Sequence, residues 1–179
     1  MENQRVRISK KMLKSALLKL LKEKSIDKIT VYELCSTAEI NRTTFYKYYG
    51  SQYDLLKDIE RDFFSDLEKY LLLYTSSKIN ALQQALEYIA ADRDNLCVLL
   101  NSINDPGFSE RLFSLPSICE ILDDYIRCKK FSDNMREYIR VFFCNGGLAI
   151  VRKWLNDGCR ESTEEISELL FKLSDAPID

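Results

Sequence analysis

The sequence predicts an all-α protein, and three observations lead to this fold class. The chain has 179 residues but only five glycines and three prolines, so helix-breaking residues are scarce. It is rich in leucine, lysine and glutamate, which are strong helix formers. Apolar residues also recur at three- and four-residue steps, which is the spacing of an amphipathic helix. We therefore expect about nine helices.

Periodicity and a capping motif predict the first two helices. An apolar stripe runs through residues 8–24, and most of the lysines there lie off that stripe. The segment "KSIDKI" then breaks the period. Thr30, followed three residues later by Glu33, forms a capping box that opens a second helix at about 31–37.

The third and fourth helices complete a known order of elements. Asn41 is a favourable N-cap for a short helix at about 42–48, and Gly50 ends it. Ser51 opens the fourth helix, which runs to about Leu73. A long helix, two short helices joined by a tight turn and a long exit helix form a helix-turn-helix arrangement. The second short helix of this motif enters the major groove of DNA.

Five further helical segments are predicted in the remainder of the chain. Short polar, proline or glycine breaks separate them. The segments lie near 78–91, 93–104, 108–128, 133–157 and 163–173. Pro116 is expected to kink the third of them. Ser162 and Glu165 form a second capping box, which opens the last.

Charge is distributed unevenly along the chain. Residues 1–50 contain 11 Lys or Arg and 5 Asp or Glu, whereas residues 51–179 contain 15 and 23. A basic region attached to an acidic body is typical of a surface that meets a polyanion, although a solvated lysine-rich helix face explains the same charges. We predict a helix-turn-helix DNA-binding domain at 1–50 and a helical regulatory and dimerisation domain at 51–179.

Composition argues against an enzyme and against a metal site. The chain contains no histidine, which removes histidine-based acid–base catalysis and histidine-ligated metals. It also contains no Gly-rich phosphate loop. The six cysteines form no C-x-x-C pair, so we expect buried free thiols in a reducing compartment, with a thiol redox sensor as the alternative. We expect no catalytic residues, no cofactor and no metal.

The chain is not expected to enter a membrane. Its apolar runs fall short of the roughly 18 residues that a membrane-spanning helix needs. The N-terminal segment also has no apolar stretch followed by a cleavage site. We therefore expect a cytoplasmic protein.

The stretch "NRTTFYKYYG" holds several aromatic residues on one short helix. At about 100° per residue, Phe45 and Tyr49 fall on one side, and Thr43, Thr44 and Lys47 fall on the other. We expect the two rings to anchor the helix to its neighbours. The threonines and the lysine then face base edges in a groove, unless they are ordinary solvent-facing residues.

These residues carry a resemblance to a known family. The segment "ITVYELCSTAEINRTTFYKYYGSQYDLL" resembles the DNA-binding domain of tetracycline-repressor-type (TetR/AcrR) transcriptional regulators, in which a small-residue turn precedes "TxYxxFxSKxxLL". The match covers about 8–60. The resemblance implies that Tyr46 contacts a phosphate, that Tyr49 belongs to the core and that Leu55 anchors helix 4. The segment from "YIRVFFCNGG" to "STEEISELL" is similar to the C-terminal end of one branch of that family.

The chain departs from the family pattern at two positions. Glu39 replaces the usual turn glycine, so a left-handed residue there is strained. Gln52 replaces the customary lysine, but it still donates a hydrogen bond at a helix N-terminus that attracts phosphate. We predict these DNA contacts: Thr30, Tyr32, Asn41, Arg42, Thr43, Thr44, Tyr46, Lys47, Tyr48 and Gln52. Arg5 and Arg7, placed before helix 1, form a short DNA-contacting arm or are disordered.

The 133–157 helix has two apolar faces, and both must be buried. One face can pack on its own domain while the other joins the last helix in a two-fold, four-helix dimer interface. The predicted interface residues are Val141, Cys144, Leu148, Val151, Leu155, Leu169 and Leu173. The second face, which contains Phe142, Gly146 and Ala149, is the alternative, as is a monomer that buries the helix completely.

The resemblance implies an effector pocket inside helices 4–7, although the ligand stays unknown. Its candidate lining residues are Phe63, Phe64, Tyr88, Phe108, Phe113 and Tyr125, each of which can equally be core. The predicted function is a homodimeric repressor that a small-molecule effector releases from a palindromic operator in double-stranded DNA. The alternatives are an activator of the same fold, a regulator controlled by a protein co-regulator, and a helical adaptor or enzyme without DNA binding.

Overall fold

A computed structural model describes residues 4–72, 77–102, 107–128 and 132–175, and these ranges are helical without any strand. The predicted all-α class is therefore confirmed. The helices are α1 (Gln4–Leu21), α2 (Val31–Thr37), α3 (Arg42–Tyr46), α4 (Gln52–Leu72), α5 (Lys78–Ala91), α6 (Arg93–Ser102), α7 (Gly107–Phe113), α8 (Pro116–Cys128), α9 (Asp133–Asn156) and α10 (Thr163–Asp175). A short 3-10 helix at Ile26–Lys28 fills the break in period after α1.

The first helix begins earlier than its apolar stripe indicates. It starts at Gln4, and Ser9 Oγ donates to the Arg5 carbonyl within its first turns. Arg5 and Arg7 therefore lie inside a helix, and the prediction of an arm ahead of helix 1 is wrong. The reason is that glutamine and arginine are good helix formers, so the helix extends past the residues that have a buried face.

Pro116 separates two helices rather than bending one. The predicted segment at 108–128 divides into α7, which ends at Phe113, and α8, which begins at Pro116. Proline is favourable at the first position of a helix, because its missing N–H would have no partner there. The described residues thus contain ten α-helices rather than about nine.

The helices form two compact units. The first contains the described residues of Met1–Phe63 and Val98–Ile103, and the second contains those of Phe64–Cys97 and Asn104–Asp179. These bounds do not test where DNA binding and regulation divide, so the division at residue 50 stays a prediction.

The core of the first unit takes side chains from each of its first four helices. Leu13 and Leu17 of α1, Leu34 of α2, Phe45 of α3 and Leu55 of α4 are all fully inaccessible to solvent. Burying an apolar side chain of this size contributes about 1.5–3 kcal/mol. These residues hold two short helices that are too small to be stable alone.

The second unit contains the buried side chains of Leu86 and Phe108 and the well-anchored end of α9. Trp154 is buried and its Nε1 donates to the Glu161 carbonyl at 2.9 Å. Arg93 Nε donates to the Leu155 carbonyl at 2.9 Å. A cation on the last carbonyls of a helix is favourable, because these groups lack partners within the helix and carry partial negative charge.

Side-chain caps begin several helices, as predicted. Thr30 accepts from the Glu33 N–H at 3.2 Å, and Asn41 accepts from the Thr43 N–H at 2.8 Å. At α10 the capping box is reciprocal, since Ser162 N–H donates to Glu165 and Glu165 N–H donates back to the Ser162 hydroxyl. The backbone hydrogen bond from Ser162 lowers the pKa of Glu165. Each such cap contributes about 1 kcal/mol.

None of the helices in the described part of the chain combines the length and the apolar character that crossing a bilayer requires.

Candidate DNA-binding surface

The α3 segment buries the rings of Phe45 and Tyr49 and exposes most of its polar residues together with Tyr46. Phe45 is completely buried and Tyr49 is 7% exposed, which confirms their predicted role as anchors. Thr43 and Lys47 are exposed, and Thr44 is half-buried. The helix therefore presents one polar edge to the outside of the first unit.

Helix α3 is shorter than predicted, because it ends at Tyr46 rather than near residue 48. The N–H groups of Tyr48 and Tyr49 both donate to the Phe45 carbonyl at 2.9 Å. Two donors on one carbonyl tighten the last turn and stop the helix. Lys47 consequently lies at the C-cap, next to the outward edge.

The turn between α2 and α3 contains the strained residue that the sequence predicts. Glu39 has φ +55°, in the left-handed region that favours glycine. The Ile40 N–H donates back to the Cys35 carbonyl at 3.0 Å, which closes the end of α2. A non-glycine residue in this conformation costs about 1 kcal/mol, so the turn is ordered at some expense of stability.

Most of the predicted DNA contacts are accessible, and all of them lie in the first unit. Two of them, Thr30 and Asn41, use their side chains as helix caps as well. The exposed set is Thr30, Tyr32, Asn41, Arg42, Thr43, Tyr46 and Lys47, and the half-buried set is Thr44, Tyr48 and Gln52.

Two lysines flank the ring of Tyr48 and add positive charge at the end of α3. Lys47 Nζ lies 6.0 Å from the ring centroid, and Lys10 Nζ of α1 lies 5.8 Å from it. Such cation–π contacts hold long side chains in one place. Sequence analysis did not select Lys10. The available signal was the excess of basic residues in α1.

An open groove of about 490 Å³ runs along α2 and α3, beside the exposed side chains. Arg42 and Glu39 give this groove one cation and one anion. Burial raises the pKa of the Cys35 thiol on its floor, and the Arg42 guanidinium opposes that shift. The lining residues are Tyr32, Cys35, Ser36, Glu39, Ile40, Asn41 and Arg42.

The predicted dimer residues are divided between the interior and the surface. Cys144, Leu148 and Leu155 are buried within the single chain, so they are not available to a partner. Val151 is half-buried, whereas Val141, Leu169 and Leu173 are exposed. Apart from Val141, the exposed apolar residues of α9 lie along the alternative face: Met135, Tyr138, Phe142 and Ala149.

The second unit contains a cavity of about 330 Å³ formed by α7, α8 and α9. Two of its walls come from the predicted segment at 108–128, which is the last of the predicted helices 4–7, and the third wall comes from α9. Glu110, Glu137 and Arg140 place charges in it, and burial raises the pKa of Cys144 on its wall to about 12. The other lining residues are Ser109, Phe113, Ser114, Cys119, Leu122, Val141 and Asn145.

The predicted pocket residues mostly lie elsewhere. Phe113 lines the cavity, but Phe63 and Phe108 are buried in the core. Phe64 packs on the Phe108 ring at 5.1 Å between centroids. Tyr88 stacks on Tyr70 at 4.8 Å and lines a separate recess of about 370 Å³ with α4. The side chain of Tyr125 lies outside the described residues.

Comparison with known proteins agrees with this architecture. Residues 78–176, more than half of the chain, match the TetR-type family model described as "Transcriptional regulator C-terminal region". A curated relative, an uncharacterised HTH-type transcriptional regulator of Bacillus subtilis (strain 168), is 24% identical over 169 residues. That alignment covers 90% of this chain but only 43% of the relative.

Solved structures of similar fold span nearly the whole chain. A TetR transcriptional regulator from Streptococcus agalactiae 2603V aligns with a TM-score of 0.73 and 22% identity, over 96% of both chains. The dihydroxyacetone kinase operon activator DhaS aligns with a TM-score of 0.57 and 23% identity, over 93% of both chains. With the family model, these matches show that the chain belongs to the TetR family of transcriptional regulators.

Proposed function

We propose that this chain acts as a homodimer that binds a palindromic DNA operator through α3, and that the bound dimer represses transcription. The observation that supports operator binding is the sidedness of α3 and the residues that follow it: Phe45 and Tyr49 are buried, whereas Thr43 and Lys47 are exposed. Hydroxyl groups, methyl groups and a flexible cation match the edges of base pairs in the major groove. We propose no catalytic step, and an operator on chromosomal DNA places the protein in the cytoplasm.

The proposed dimer uses the face of α9 that the single chain leaves uncovered. Tyr138 and Phe142 are 72% and 69% exposed, and Ala149 on the same face permits close approach of a second helix. Leu169 and Leu173 of α10 are also exposed. A two-fold contact between identical patches is the commonest arrangement of protein oligomers. It would place two recognition helices on successive major grooves, about 34 Å apart.

Two substitutions on α3 test operator binding. With an operator selected from duplex fragments of the neighbouring promoter region, Lys47→Ala and Tyr46→Phe should each weaken binding roughly tenfold, because each removes one charged or hydrogen-bonding contact. Lys69→Ala is the matched control, since Lys69 is exposed on α4 and pairs with Asp66 in the second unit. Fluorescence anisotropy at several salt concentrations measures the effect.

Unchanged affinity in both α3 variants would contradict the assignment of α3 as the recognition helix. A protein without any salt-dependent affinity for DNA would favour the adaptor alternative.

The proposed effector site is the cavity between α7, α8 and α9. Its volume of about 330 Å³ suits a small molecule, and its walls combine apolar side chains with Arg140 and two carboxylates. An effector would act by binding better to the DNA-free conformation than to the bound one.

Filling the cavity tests this site. Leu122 is half-buried on the cavity wall, and Leu122→Trp should occupy the space with an indole ring. A metabolite that releases wild-type protein from its operator and raises its melting temperature should do neither in the variant. The variant should still bind the operator. A variant that keeps the full ligand response would place the effector elsewhere.

An activator of the same fold is the second candidate, because one solved structure of similar fold is named as an operon activator. Reporter transcription in cells with and without the gene distinguishes the two signs of regulation. Control by a protein co-regulator rather than by a small molecule remains the further alternative. In that case, operator release would require the partner protein and would not respond to Leu122→Trp.

A further inference from the structure

Asp58 is a buried carboxylate on α4 that joins three parts of the first unit. The residue is only 6% exposed. The Tyr49 hydroxyl donates to Asp58 Oδ2 at 2.8 Å, and Lys14 Nζ of α1 lies 2.7 Å from the same oxygen. Arg61, one turn further along α4, pairs with Oδ1. The carboxylate therefore connects α1, the segment that follows α3, and α4.

The two cations already offset the charge of Asp58. A buried carboxylate is costly unless it is both paired and hydrogen-bonded. Lys14 and Arg61 supply the ion pairs, and the Tyr49 hydroxyl supplies a hydrogen bond. The Tyr49 hydroxyl is therefore not needed for charge balance. The hydroxyl instead fixes the orientation of Tyr49 relative to α4. A hydrogen bond restricts both length and angle, whereas apolar packing is non-directional.

Helix α3 depends on such a contact because it is only five residues long. A helix of this length has no stable orientation of its own. Its core ring, Phe45, packs against the Tyr49 ring with 5.7 Å between centroids. Tyr49 also donates its backbone N–H to the Phe45 carbonyl, so the same residue is tied to α3 by its backbone and to α4 by its hydroxyl.

We propose that the hydrogen bond from Tyr49 to Asp58 is the contact that sets the angle of α3 on α4, and hence the ability of the protein to distinguish its operator from other DNA. Tyr49 and Asp58 are positioning residues, since Tyr49 is buried and Asp58 lies behind it. This inference rests on the proposed operator binding by α3. It assigns sequence discrimination to a residue pair that does not touch DNA.

The test compares two tyrosines that donate to carboxylates. Tyr49→Phe removes the buried hydrogen bond, and Tyr53→Phe removes a bond of 2.6 Å to Asp27, which joins α4 to the 3-10 helix and not to α3. Tyr49→Phe should lower operator affinity roughly tenfold, the size of one hydrogen bond to a charged group. Its affinity for random duplex DNA and its salt dependence should not change, because no phosphate contact is lost. Tyr53→Phe should leave both affinities at the wild-type values.

A second variant separates positioning from simple destabilisation. Asp58→Asn keeps an oxygen that can accept from the Tyr49 hydroxyl, but it removes the charge that Lys14 and Arg61 require. It should lower the melting temperature more than Tyr49→Phe does, yet keep more of the preference for operator over random DNA. If the two residues had a purely structural role, the variant with the larger loss of melting temperature would also show the larger loss of preference for operator over random DNA.

Three outcomes overturn the inference. The first is a Tyr49→Phe protein whose operator-to-random affinity ratio stays within twofold of wild type. The second is an equal decrease of that ratio in Tyr53→Phe. The third is a decrease of the ratio that is proportional to the decrease in melting temperature across all variants. If the wild-type protein shows no preference for any duplex, the proposed function fails as well. If only the inference fails, the wild-type protein will prefer its operator over random DNA and the Tyr49→Phe protein will show the same preference.

Discussion

Replacing Phe45 by alanine should strongly destabilise the first unit and abolish operator binding. Phe45 is fully inaccessible, and it is the completely buried side chain that α3 contributes to the core. Truncating a buried phenylalanine costs about 3–5 kcal/mol, because apolar burial is lost and a cavity is left behind. A domain has a free energy of unfolding of only about 5–15 kcal/mol. The substitution would therefore remove a large fraction of that free energy.

Urea denaturation followed by circular dichroism measures this effect. Tyr32→Ala is the control for stability, because Tyr32 is 71% exposed and its truncation should change the unfolding free energy by less than about 0.5 kcal/mol. The Phe45→Ala protein should lose helical signal at a lower urea concentration and should bind no operator. A loss of stability below about 1 kcal/mol would show that the site repacks, and the role of Phe45 as the anchor of α3 would then be wrong.

Replacing Phe142 by glutamate should convert the protein to a monomer and reduce operator affinity more than a hundredfold. Phe142 is 69% exposed on the uncovered face of α9 and contacts the ring of Phe143. In a two-fold interface, the substitution brings two carboxylates into apolar surroundings, where unpaired charge is strongly unfavourable. Without the dimer, the second half-site no longer gains from the high effective concentration that linkage provides.

Sedimentation velocity at micromolar concentration measures the oligomeric state. Leu72→Glu is a matched control, because Leu72 is also an exposed apolar residue but lies on α4. It should remain dimeric and should keep operator affinity. A wild-type protein that sediments as a monomer would remove the dimer, and a Phe142→Glu protein that stays dimeric would move the interface away from this face of α9.

The features that were predictable from the sequence depend on neighbours along the chain. Thr30 and Asn41 cap their helices because the acceptor and the free N–H groups are two or three residues apart. The inward position of Phe45 and the outward position of Lys47 follow from the pitch of one helical turn. The left-handed conformation of Glu39 was expected from the family resemblance alone, which places a turn glycine at this position.

Other features were decided by contacts between distant parts of the chain. Periodicity shows that α9 has two apolar faces, but burial of Cys144, Leu148 and Leu155 selects the face that packs inward. The cavity takes its walls from α7, α8 and α9, and one predicted aromatic residue, Phe113, lines it. No spacing rule reveals such choices, because each depends on which helices meet in space.

The sequence by itself determined the all-helical class, the order of the first four helices and the sidedness of α3, since helix pitch and capping act over a few residues. Only the tertiary structure decided which face of α9 is exposed, where the cavity of the second unit lies and that Tyr49 is hydrogen-bonded to Asp58. These depend on packing between helices, where directional contacts and burial select one arrangement among several that satisfy the same apolar pattern.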